Sequence, residues 1–412
     1  MNIYLVGGAV RDQYLNLPVK DRDWVVVGAR PQQLLDLGYK QVGADFPVFL
    51  HPQTHEEYAL ARTERKSGHG YSGFNVHFDP DVTLEDDLAR RDLTINAMAQ
   101  AENGELFDPY QGLQDLEQKK LRHVTEAFRE DPLRVLRVAR FAARYDHLGF
   151  TVADETLQLM HSMVTSGELA YLTPERVWTE LSKALTEATP STFFNILRQC
   201  GALKVVFPEL DRLFGVPQPM RWHPEIDTGI HVLKALDTAR KQTNQVATLF
   251  ASLCHDLGKG LTPSAHWPSH RGHESLGADL IPGLAKKYRW PKQVADLTEK
   301  VARYHTHCHR IDELKPSTIV KLLGDLNAFR QPETVENFVL ACQADARGRS
   351  GFEQTDYPQG DVLKACLEAC IDVTAQPFID DGLTGKAIGE AMNSARVQAV
   401  ANIVRPSTPP RG

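Results

Sequence analysis

The spacing of apolar residues changes once along this chain, close to residue 120. Before that point, short apolar runs rich in β-branched residues predict strands, the clearest at 3–6, 24–27, 48–50, 58–61 and 95–99. From about residue 125 to about residue 400, apolar residues recur at helical spacing, without a convincing alternating strand. We therefore predict an α+β head followed by an all-helical body.

Two glycines mark the first turn of the predicted head. Gly7 and Gly8 follow the apolar run 3–6, and Val10, Arg11 and Asp12 then open a helical stretch. Because glycine has no Cβ, backbone N–H groups at such a strand-to-helix turn can approach a phosphate closely. This turn is a candidate phosphate-binding site.

An Asp-x-Asp pair, Asp21 and Asp23, leads directly into the apolar run 24–27. Side chains two residues apart on a strand share one face, so both carboxylates should point the same way. Two hard oxygen donors suit Mg²⁺, which keeps waters and substrate phosphates as its other ligands. An isolated Asp-x-Asp is more often a solvated strand end, but with the glycine turn it predicts a site for a metal-bound nucleoside triphosphate.

The most readable helix of the body is predicted after Asp131 and Pro132, a favourable N-cap and a favourable first helical residue. One face of this helix carries only arginine among its charged residues, at 134, 137, 140 and 144, and the opposite face is apolar. Such a stripe is usually a solvated surface with ion pairs. We favour a nucleotide or RNA contact, because the acids nearest in sequence, Glu130 and Asp131, cannot neutralise four arginines.

A second charged cluster, residues 85–92, precedes the apolar run 95–99. Its mixed signs allow pairs at i,i+4 spacing, such as Asp86 with Arg90 or Asp87 with Arg91. Arg91 is equally suited to gripping a triphosphate, and spacing does not decide between the two roles.

Composition narrows the class of protein. The chain has 412 residues, a length that favours several domains. Its six cysteines have no disulfide-dense spacing, which favours a cytoplasmic setting, and its formal net charge is −7. Neither a signal peptide nor an apolar run long enough to span a bilayer is recognisable. The overall charge excludes indiscriminate polyanion binding, yet residues 119–144 hold eight Lys or Arg against three acids, a local balance of +5.

The helical body contains a histidine-rich constellation. His255 and Asp256 end the apolar run 247–254, and His231 lies upstream on a helix that Asp227 or Thr228 can cap. His273, His305 and Asp345 follow downstream. Imidazoles and carboxylates from several helices suit a Ni²⁺, Zn²⁺ or Mn²⁺ site inside a bundle. We expect four other histidines, at 51, 55, 307 and 309, at the surface, while His266 and His270 are ambiguous.

Four motifs in a fixed order give the chain a close resemblance to the bacterial class II CCA-adding enzymes with a C-terminal HD domain. The motifs are Leu5-Val6-Gly7-Gly8-Ala9-Val10-Arg11-Asp12, Asp21-Arg22-Asp23, Arg90-Arg91-Asp92-Leu93-Thr94-Ile95-Asn96-Ala97 and Glu130-Asp131-Pro132-Leu133-Arg134-Val135-Leu136-Arg137. The resemblance covers nearly the whole chain. It implies a polymerase-β-like nucleotidyltransferase head (1–125), a helical neck and body that binds nucleotide and tRNA (126–222), an HD phosphohydrolase domain (223–350) and a helical tail with a disordered C-terminus (351–412).

The resemblance also implies a role for individual head residues. Asp21 and Asp23 would hold Mg²⁺ and bring the 3′-hydroxyl of tRNA in line with the α-phosphate of CTP or ATP. Asp131 and Arg134 would read the Watson–Crick edge of the incoming base. The other residues implied to bind the nucleotide are Gly8, Arg11 and Arg91, which would contact the triphosphate, and Arg137 and Arg140. The sequence does not locate a third head carboxylate: Glu57 and Glu64 are candidates, although ordinary polar strand positions account for them better. The Gly-rich segment 66–73 is a candidate lever for switching from C to A.

For the HD domain, the resemblance implies 2′,3′-cyclic phosphodiesterase, 2′-nucleotidase and phosphatase activities. Mg²⁺ would serve the first two, and Ni²⁺ or another transition metal the phosphatase. His231, His255, Asp256 and His305 are the leading metal ligands and His273 and Asp345 secondary ones. The expected partners are tRNA, CTP and ATP, for a monomer or homodimer. Two alternatives stay open: an HD phosphohydrolase whose head only binds tRNA, and a poly(A) or A-adding polymerase of the same family.

Overall fold

A computed structural model describes residues 1–42, 48–66, 74–77 and 79–404 of the chain. These residues form two compact units, 1–206 and 207–412, each described here by itself. The Gly-rich segment 67–73, the side chain of Glu64 and the predicted disordered tail lie outside the described residues. The division into head, body, HD domain and tail stays a prediction.

The first unit begins with a seven-stranded mixed sheet whose strand order is β3-β4-β5-β2-β1-β8-β9. Strands β2 and β5 run parallel and the other neighbouring pairs are antiparallel. The sheet strands are β1 (Asn2–Val6), β2 (Asp23–Val27), β3 (Lys40–Val42), β4 (Val48–Leu50), β5 (Glu57–Leu60), β8 (Ala99–Ala101) and β9 (Leu106–Phe107). Two small ladders join β6 (Thr63–Lys66) to β7 (Phe74–His77) and β10 (Lys120–Leu121) to β11 (Thr151–Val152).

Both faces of the sheet are covered, which explains the unbroken apolar run at 24–27. Val25 belongs to a core on one face together with Val6 and Leu88, and Val26 belongs to a core on the other face with Phe49. Alternation of side chains along the strand delivers successive valines to the two cores.

Helices account for the rest of the first unit. They are α1 (Gly8–Tyr14), α2 (Pro31–Asp36), α3 (Leu84–Ala89), α4 (Gly112–Glu117), α5 (Leu133–Tyr145), α6 (Asp154–Thr165), α7 (Pro174–Leu185), α8 (Pro190–Gln199) and α9 (Leu203–Val206). Helix α5 begins one residue later than predicted. Its expected apolar face is buried and packs against α7 and α8.

Four of the five strand predictions are confirmed, and the one at 95–99 is wrong. Residues Thr94–Asn96 form a 3₁₀ turn and β8 starts only at Ala99. Every residue from 93 to 99 is buried, so this apolar run carries no periodicity that would separate a strand from a buried turn. The short strand β11 was not expected in the helical region either.

The second unit is built from helices alone in its described residues. They are α10 (Pro208–Asp211), α11 (Thr228–Arg240), α12 (Val246–Cys254), α13 (His273–Tyr288), α14 (Lys292–His309), α15 (Pro316–Asp325), α16 (Glu333–Arg347), α17 (Pro358–Ile371), α18 (Gln376–Asp380) and α19 (Lys386–Val404). Helices α11, α12, α14 and α16 pack against one another. Asp227 caps α11 as predicted, since its carboxylate accepts a hydrogen bond from the Ile230 N–H.

Among the described residues of both units, no helix is both long and apolar enough to cross a bilayer.

Candidate functional site

A single cavity of about 530 Å³ in the first unit brings together almost all of the predicted head residues. The predicted residues that line it are Gly8, Arg11, Asp23, Arg91, Asp131, Arg134, Arg137 and Arg140. Asp21 lines a neighbouring cavity of about 640 Å³, which shares Asp23 with the first. The first and last motifs, whose nearest ends are 118 positions apart in the chain, therefore contribute to one place.

The charge of this cavity is strongly positive. Its lining includes nine arginines and three aspartates, a formal balance of +6, although the whole chain carries −7. Six of the nine arginines were singled out from the sequence as candidates or as part of the α5 stripe; Arg62, Arg90 and Arg176 were not. A lining of this kind is suited to a polyanion such as a triphosphate.

The glycine turn lies directly beside Arg91. Gly7 has a φ of +67°, and a Cβ built on it would stand 2.8 Å from Nη1 of Arg91. The Gly7 N–H donates to the carbonyl of Met98, which fixes the turn against the segment before β8. Both the backbone conformation and the close approach thus require glycine here.

The two aspartates are arranged differently from the prediction. Strand β2 begins at Asp23, so Asp21 lies just before the strand and alternation along it does not orient both side chains. Desolvation raises the pKa of Asp23 and the charge of Asp21 adds to the rise, while Arg91 opposes it. Glu57 is the register partner of Asp23 on the parallel strand β5 and lines the same cavity as Asp21. Neighbouring carboxylates at such a position are a donor set that fits a divalent cation.

Asp87, at the end of α3, holds two of the pocket arginines. Its side chain is fully buried and accepts from Nη2 of Arg90 at 2.7 Å and from Nη2 of Arg91 at 3.2 Å. Burial alone would raise the pKa of Asp87, but the two guanidiniums hold that pKa below its usual value. Arg91 therefore forms the i,i+4 pair with Asp87 that the sequence allowed and also lines the pocket, while its contact with a triphosphate stays a prediction.

The α5 arginines are also paired, contrary to the expectation that acids to neutralise them are lacking. Asp92 accepts from Arg137 at 2.7 Å, and Glu180 of α7 accepts from Arg140 at 2.7 Å. Asp12 of α1 accepts from Arg144 at 3.1 Å. Burial opposes the effect of Arg137 on Asp92, yet the pKa of Asp92 is held far below its usual value. The sequence prediction considered only acids nearby in the chain, and these partners lie 40 to 132 positions away.

Asp131 is held by an arginine that the sequence did not indicate. Its carboxylate accepts from the Leu133 N–H at 3.0 Å, in the manner of a helix cap, and from Nη2 of Arg176 at 2.9 and 3.1 Å. Arg134 is buried and donates to the carbonyl of Ala127 at 2.8 Å. Arg176 lies in the first turn of α7, where nothing in the local pattern distinguishes it from a solvated helix residue.

Six predicted ligands converge in the second unit, all of them buried. They form two groups whose ligand atoms lie within 4.8 Å of one another: His231, His255 and Asp345, and Asp256, His273 and His305. Nε2 of His255 lies 3.2 Å from Asp256 and 3.5 Å from Asp345, so this residue connects the two groups.

Backbone carbonyls fix the orientation of three of these imidazoles. Nδ1 of His255 lies 2.8 Å from the carbonyl of Ser252, and Nδ1 of His273 and of His305 lie 3.0 Å from carbonyls of the preceding turn. An Nδ1–H donor to a carbonyl leaves Nε2 with its lone pair, which is the atom a metal binds. All three Nε2 atoms point toward Asp256.

The centre of this group contains polar atoms that the protein does not satisfy. Nε2 of His255 and Oδ1 of Asp256 are buried without a hydrogen-bond partner among the described residues. Burial opposes protonation of His255, yet Asp256 and Asp345 raise its pKa to about 10. These two atoms can both act as metal ligands, and the nearby carboxylates attract positive charge. The arrangement fits a transition-metal ion held by imidazole and carboxylate.

Several residues around the ligands were not anticipated. His309, expected at the surface, is half-buried and binds Oδ2 of Asp345 at 2.7 Å. Glu225 lies 2.9 Å from Nδ1 of His231, and Lys259 lies 2.6 Å from Oδ2 of Asp256. His270 is buried and contacts the carbonyl of Pro217. The i,i+4 spacing of His305 and His309 was the one available signal for His309.

Comparison with protein-family models gives three matches along the chain. The poly A polymerase head domain matches residues 3–122, the model described as "Probable RNA and SrmB- binding site of polymerase A" matches residues 149–214, and the HD domain matches residues 228–343.

The individual proteins that are similar to this chain are described as CCA proteins or CCA-adding enzymes. A multifunctional CCA protein of Thioalkalivibrio sulfidiphilus is 59% identical over 403 residues, which is 98% of each chain. A Bacillus stearothermophilus CCA-adding enzyme in complex with CTP has a TM-score of 0.64 at 23% identity, over 97% of this chain and 88% of that one. A Thermotoga maritima CCA-adding enzyme complexed with tRNA has a TM-score of 0.62 at 20% identity, over 98% and 90%. At these identities the two structures show a shared fold.

Removal of the Asp87 charge should destabilise the first unit. We expect Asp87→Asn to cost about 3–5 kcal/mol at pH 7, because two largely buried guanidiniums lose their counterion. The pKa of Asp87 is lowered on folding, so its contribution is present above the unfolded pKa of about 3.9 and is lost as the pH falls through the lower folded value.

Urea titrations at several pH values check this expectation. The stability difference between Asp87→Asn and the unsubstituted protein should be largest near neutrality and shrink below about pH 4. Glu85→Gln, an exposed acid on the same helix, is the control and should leave stability unchanged. A difference that stays constant down to low pH would contradict the role of the Asp87 charge.

Proposed function

This chain belongs to the CCA-adding tRNA nucleotidyltransferases, the family of the multifunctional CCA proteins, and we propose that its head builds and repairs the 3′-terminal CCA of tRNA from CTP and ATP. The observation that carries the proposal is the pocket in which the glycine turn, Asp23 and nine arginines line one cavity. Nucleotidyl transfer asks the protein for positioning and charge neutralisation, which these groups supply.

We propose that Asp21 and Asp23 hold Mg²⁺ at the edge of this pocket. A bound Mg²⁺ would lower the charge barrier between the 3′-hydroxyl and the α-phosphate. The protein's own part is to fix the triphosphate. Gly8 and Arg11 at the start of α1, with Arg91, would hold the phosphates, and Arg137 and Arg140 would meet the nucleotide from α5.

Base choice is proposed to depend on Asp131 and Arg134. A carboxylate accepts a hydrogen bond from the exocyclic amino group that C and A share, whereas U and G present a carbonyl oxygen at that position. Arg134 would donate to acceptors of the base. Arg176 and the Leu133 N–H hold the Asp131 carboxylate, and each oxygen has two lone pairs, so capping and base reading are compatible.

For the second unit we propose phosphohydrolase activity at the His/Asp centre, directed at 2′,3′-cyclic phosphodiesters, 2′-nucleotides and phosphate monoesters. His231, His255, Asp256, His273, His305 and Asp345 would hold the metal. Ni²⁺ suits the imidazole-rich donor set of the phosphatase better than Mg²⁺ does, and Mg²⁺ is proposed for the other two activities. The clustering of six buried ligands, among them His255 and Asp256 with unsatisfied atoms, supports this proposal.

The carboxylate pair should control the rate of transfer with every nucleotide. We expect Asp21→Asn and Asp23→Asn each to slow addition of C and of A at least about a hundredfold, equivalent to about 2.7 kcal/mol. The assay extends tRNA lacking CCA with CTP, ATP or both under Mg²⁺. Glu102→Gln, an exposed acid of the same unit, is the control.

Two results of this assay would overturn the assignment. Transfer that persists in the double variant would remove Asp21 and Asp23 from catalysis, and a head that transfers nothing would favour a binding module. CTP alone also separates the family alternatives, because a CCA-adding enzyme should add two residues and stop, while a poly(A) or A-adding enzyme should add none.

Asp131 and Arg134 should determine which base is added. In Asp131→Asn the amide can donate to a carbonyl, so we expect UTP incorporation to rise relative to CTP, by roughly tenfold if one hydrogen bond to the base is exchanged. Arg134→Lys should lower discrimination as well. Competition between the four nucleotides on one tRNA measures this ratio, and Arg129→Lys is the matched control. Equal slowing with all four bases would indicate a purely structural role.

His255→Ala should abolish hydrolysis of 2′,3′-cyclic AMP and leave CCA addition intact. We expect a loss of at least about a hundredfold, because a central ligand is removed from the metal site. His266→Ala, an exposed histidine of the same unit, should behave like the unsubstituted protein. Bound Ni²⁺ measured by mass spectrometry should fall in parallel in His255→Ala. Undiminished hydrolysis by this variant would refute the assignment.

A further inference from the structure

The loop between α10 and α11 presents a buried hydrogen-bond donor without an acceptor. We call this loop the strap and define it as residues 217–227. The side chain of Gln218 is 2% exposed, and its Nε2 has no hydrogen-bond partner among the described residues. A buried amide that is left unsatisfied opposes folding, so such a group needs an explanation in the function of the site.

The strap holds Gln218 in one position. Pro217 and Asp227 form an antiparallel bridge that closes it, and the Gln218 N–H donates to the carbonyl of Ile226 at 2.7 Å. Glu225 of the strap also lies 2.9 Å from the ligand His231. The conformation of the strap is therefore tied to the metal centre.

Lys259 connects Gln218 to this centre. Its ammonium donates to Oε1 of Gln218 and to Oδ2 of Asp256, both at 2.6 Å. Since Oε1 accepts from Lys259, the amide is oriented, and its NH₂ group is the end that remains available. An ammonium and an amide donor side by side attract an anionic acceptor and disfavour a second cation.

We infer that Gln218 binds the phosphoryl group of the substrate, with Nε2 donating to a non-bridging oxygen of a phosphate monoester or diester beside the metal ligands. This inference rests on the proposed hydrolase function. In hydrolysis a water oxygen bonds to phosphorus, the bond to the 2′- or 3′-oxygen breaks, and the leaving oxygen takes a proton. Gln218 forms no covalent bond in this step and contributes by binding.

Two substitutions distinguish the hydrogen-bond donor Nε2 of Gln218 from the contact of its Oε1 with Lys259, which anchors the strap. Gln218→Leu removes both the donor and the contact with Lys259. Gln218→Glu keeps an oxygen for Lys259, and so preserves the strap, but replaces the NH₂ donor by an acceptor that repels phosphate. Met220→Ala, at an exposed position of the same strap, is the matched control.

Binding of inorganic phosphate to the Ni²⁺-loaded full-length chain, measured by calorimetry, is the main readout. We expect both Gln218 variants to bind phosphate roughly ten- to hundredfold more weakly, because a hydrogen bond to a charged group is lost, while bound Ni²⁺ and CCA addition stay unchanged. KM should rise for 2′,3′-cyclic AMP and for bis(p-nitrophenyl) phosphate, which carries no base. Met220→Ala should match the unsubstituted protein.

Each outcome decides a separate question. Phosphate binding by Gln218→Glu equal to that of the unsubstituted protein would reduce Gln218 to an anchor of the strap and overturn the inference. Gln218-dependent phosphate binding in a protein that hydrolyses none of the substrates would refute the proposed hydrolase, and would show that Gln218 binds phosphate at a centre without this activity. Hydrolysis and phosphate binding that are identical in all variants would refute the inference alone, and a protein that neither binds phosphate nor hydrolyses would refute both.

Discussion

Guanidinium groups repel one another, and the first unit brings nine of them to one cavity of about 530 Å³. The fold tolerates this because buried carboxylates hold the arginines from outside the cavity: Asp87 holds Arg90 and Arg91, and Glu180 holds Arg140. A buried charge without a partner is costly, so these acids are a condition for the cationic pocket. They also fix where each guanidinium lies, which is what recognition of a triphosphate requires.

This constraint explains why the pKa values of the carboxylates in and around the pocket shift in opposite directions. Asp87 and Asp92 contact arginines directly, and the pKa of each is lowered despite burial. Burial raises the pKa of Asp23, and the charge of Asp21 adds to the rise, although Arg91 opposes it. Acids whose charge is already compensated stabilise the fold, whereas an uncompensated pair attracts a further cation. The electrostatics thus separates the acids that hold arginines from the metal-binding candidates of the first unit.

Local patterns predicted much of the fold and the candidate site, and long-range pairing accounts for the rest. Strands β1, β2, β4 and β5, the glycine turn and helix α5 follow from periodicity and residue type over short windows. Glu180 and Arg176 sit on α7 and reach α5 and Asp131 only through packing of the two helices. Gln218 and Glu225 depend on the conformation of an irregular strap, which carries no period. The arginine stripe on α5 was correctly predicted. The expectation that no acids neutralise it was wrong, because the acidic partners lie 40 or more positions away in the chain.

The two centres solve opposite electrostatic problems. The pocket of the first unit has an excess of fixed cations over anions, which a triphosphate would balance. The centre of the second unit has buried carboxylates and unsatisfied imidazole nitrogen, a donor set that fits a metal cation. The proposed chemistries are related through the RNA end. A 3′-oxygen that carries phosphate has no lone nucleophilic hydroxyl, and no arrangement of arginines around the triphosphate can replace that hydroxyl. The hydrolysis proposed for one centre would therefore restore the nucleophile on which the transfer proposed for the other depends.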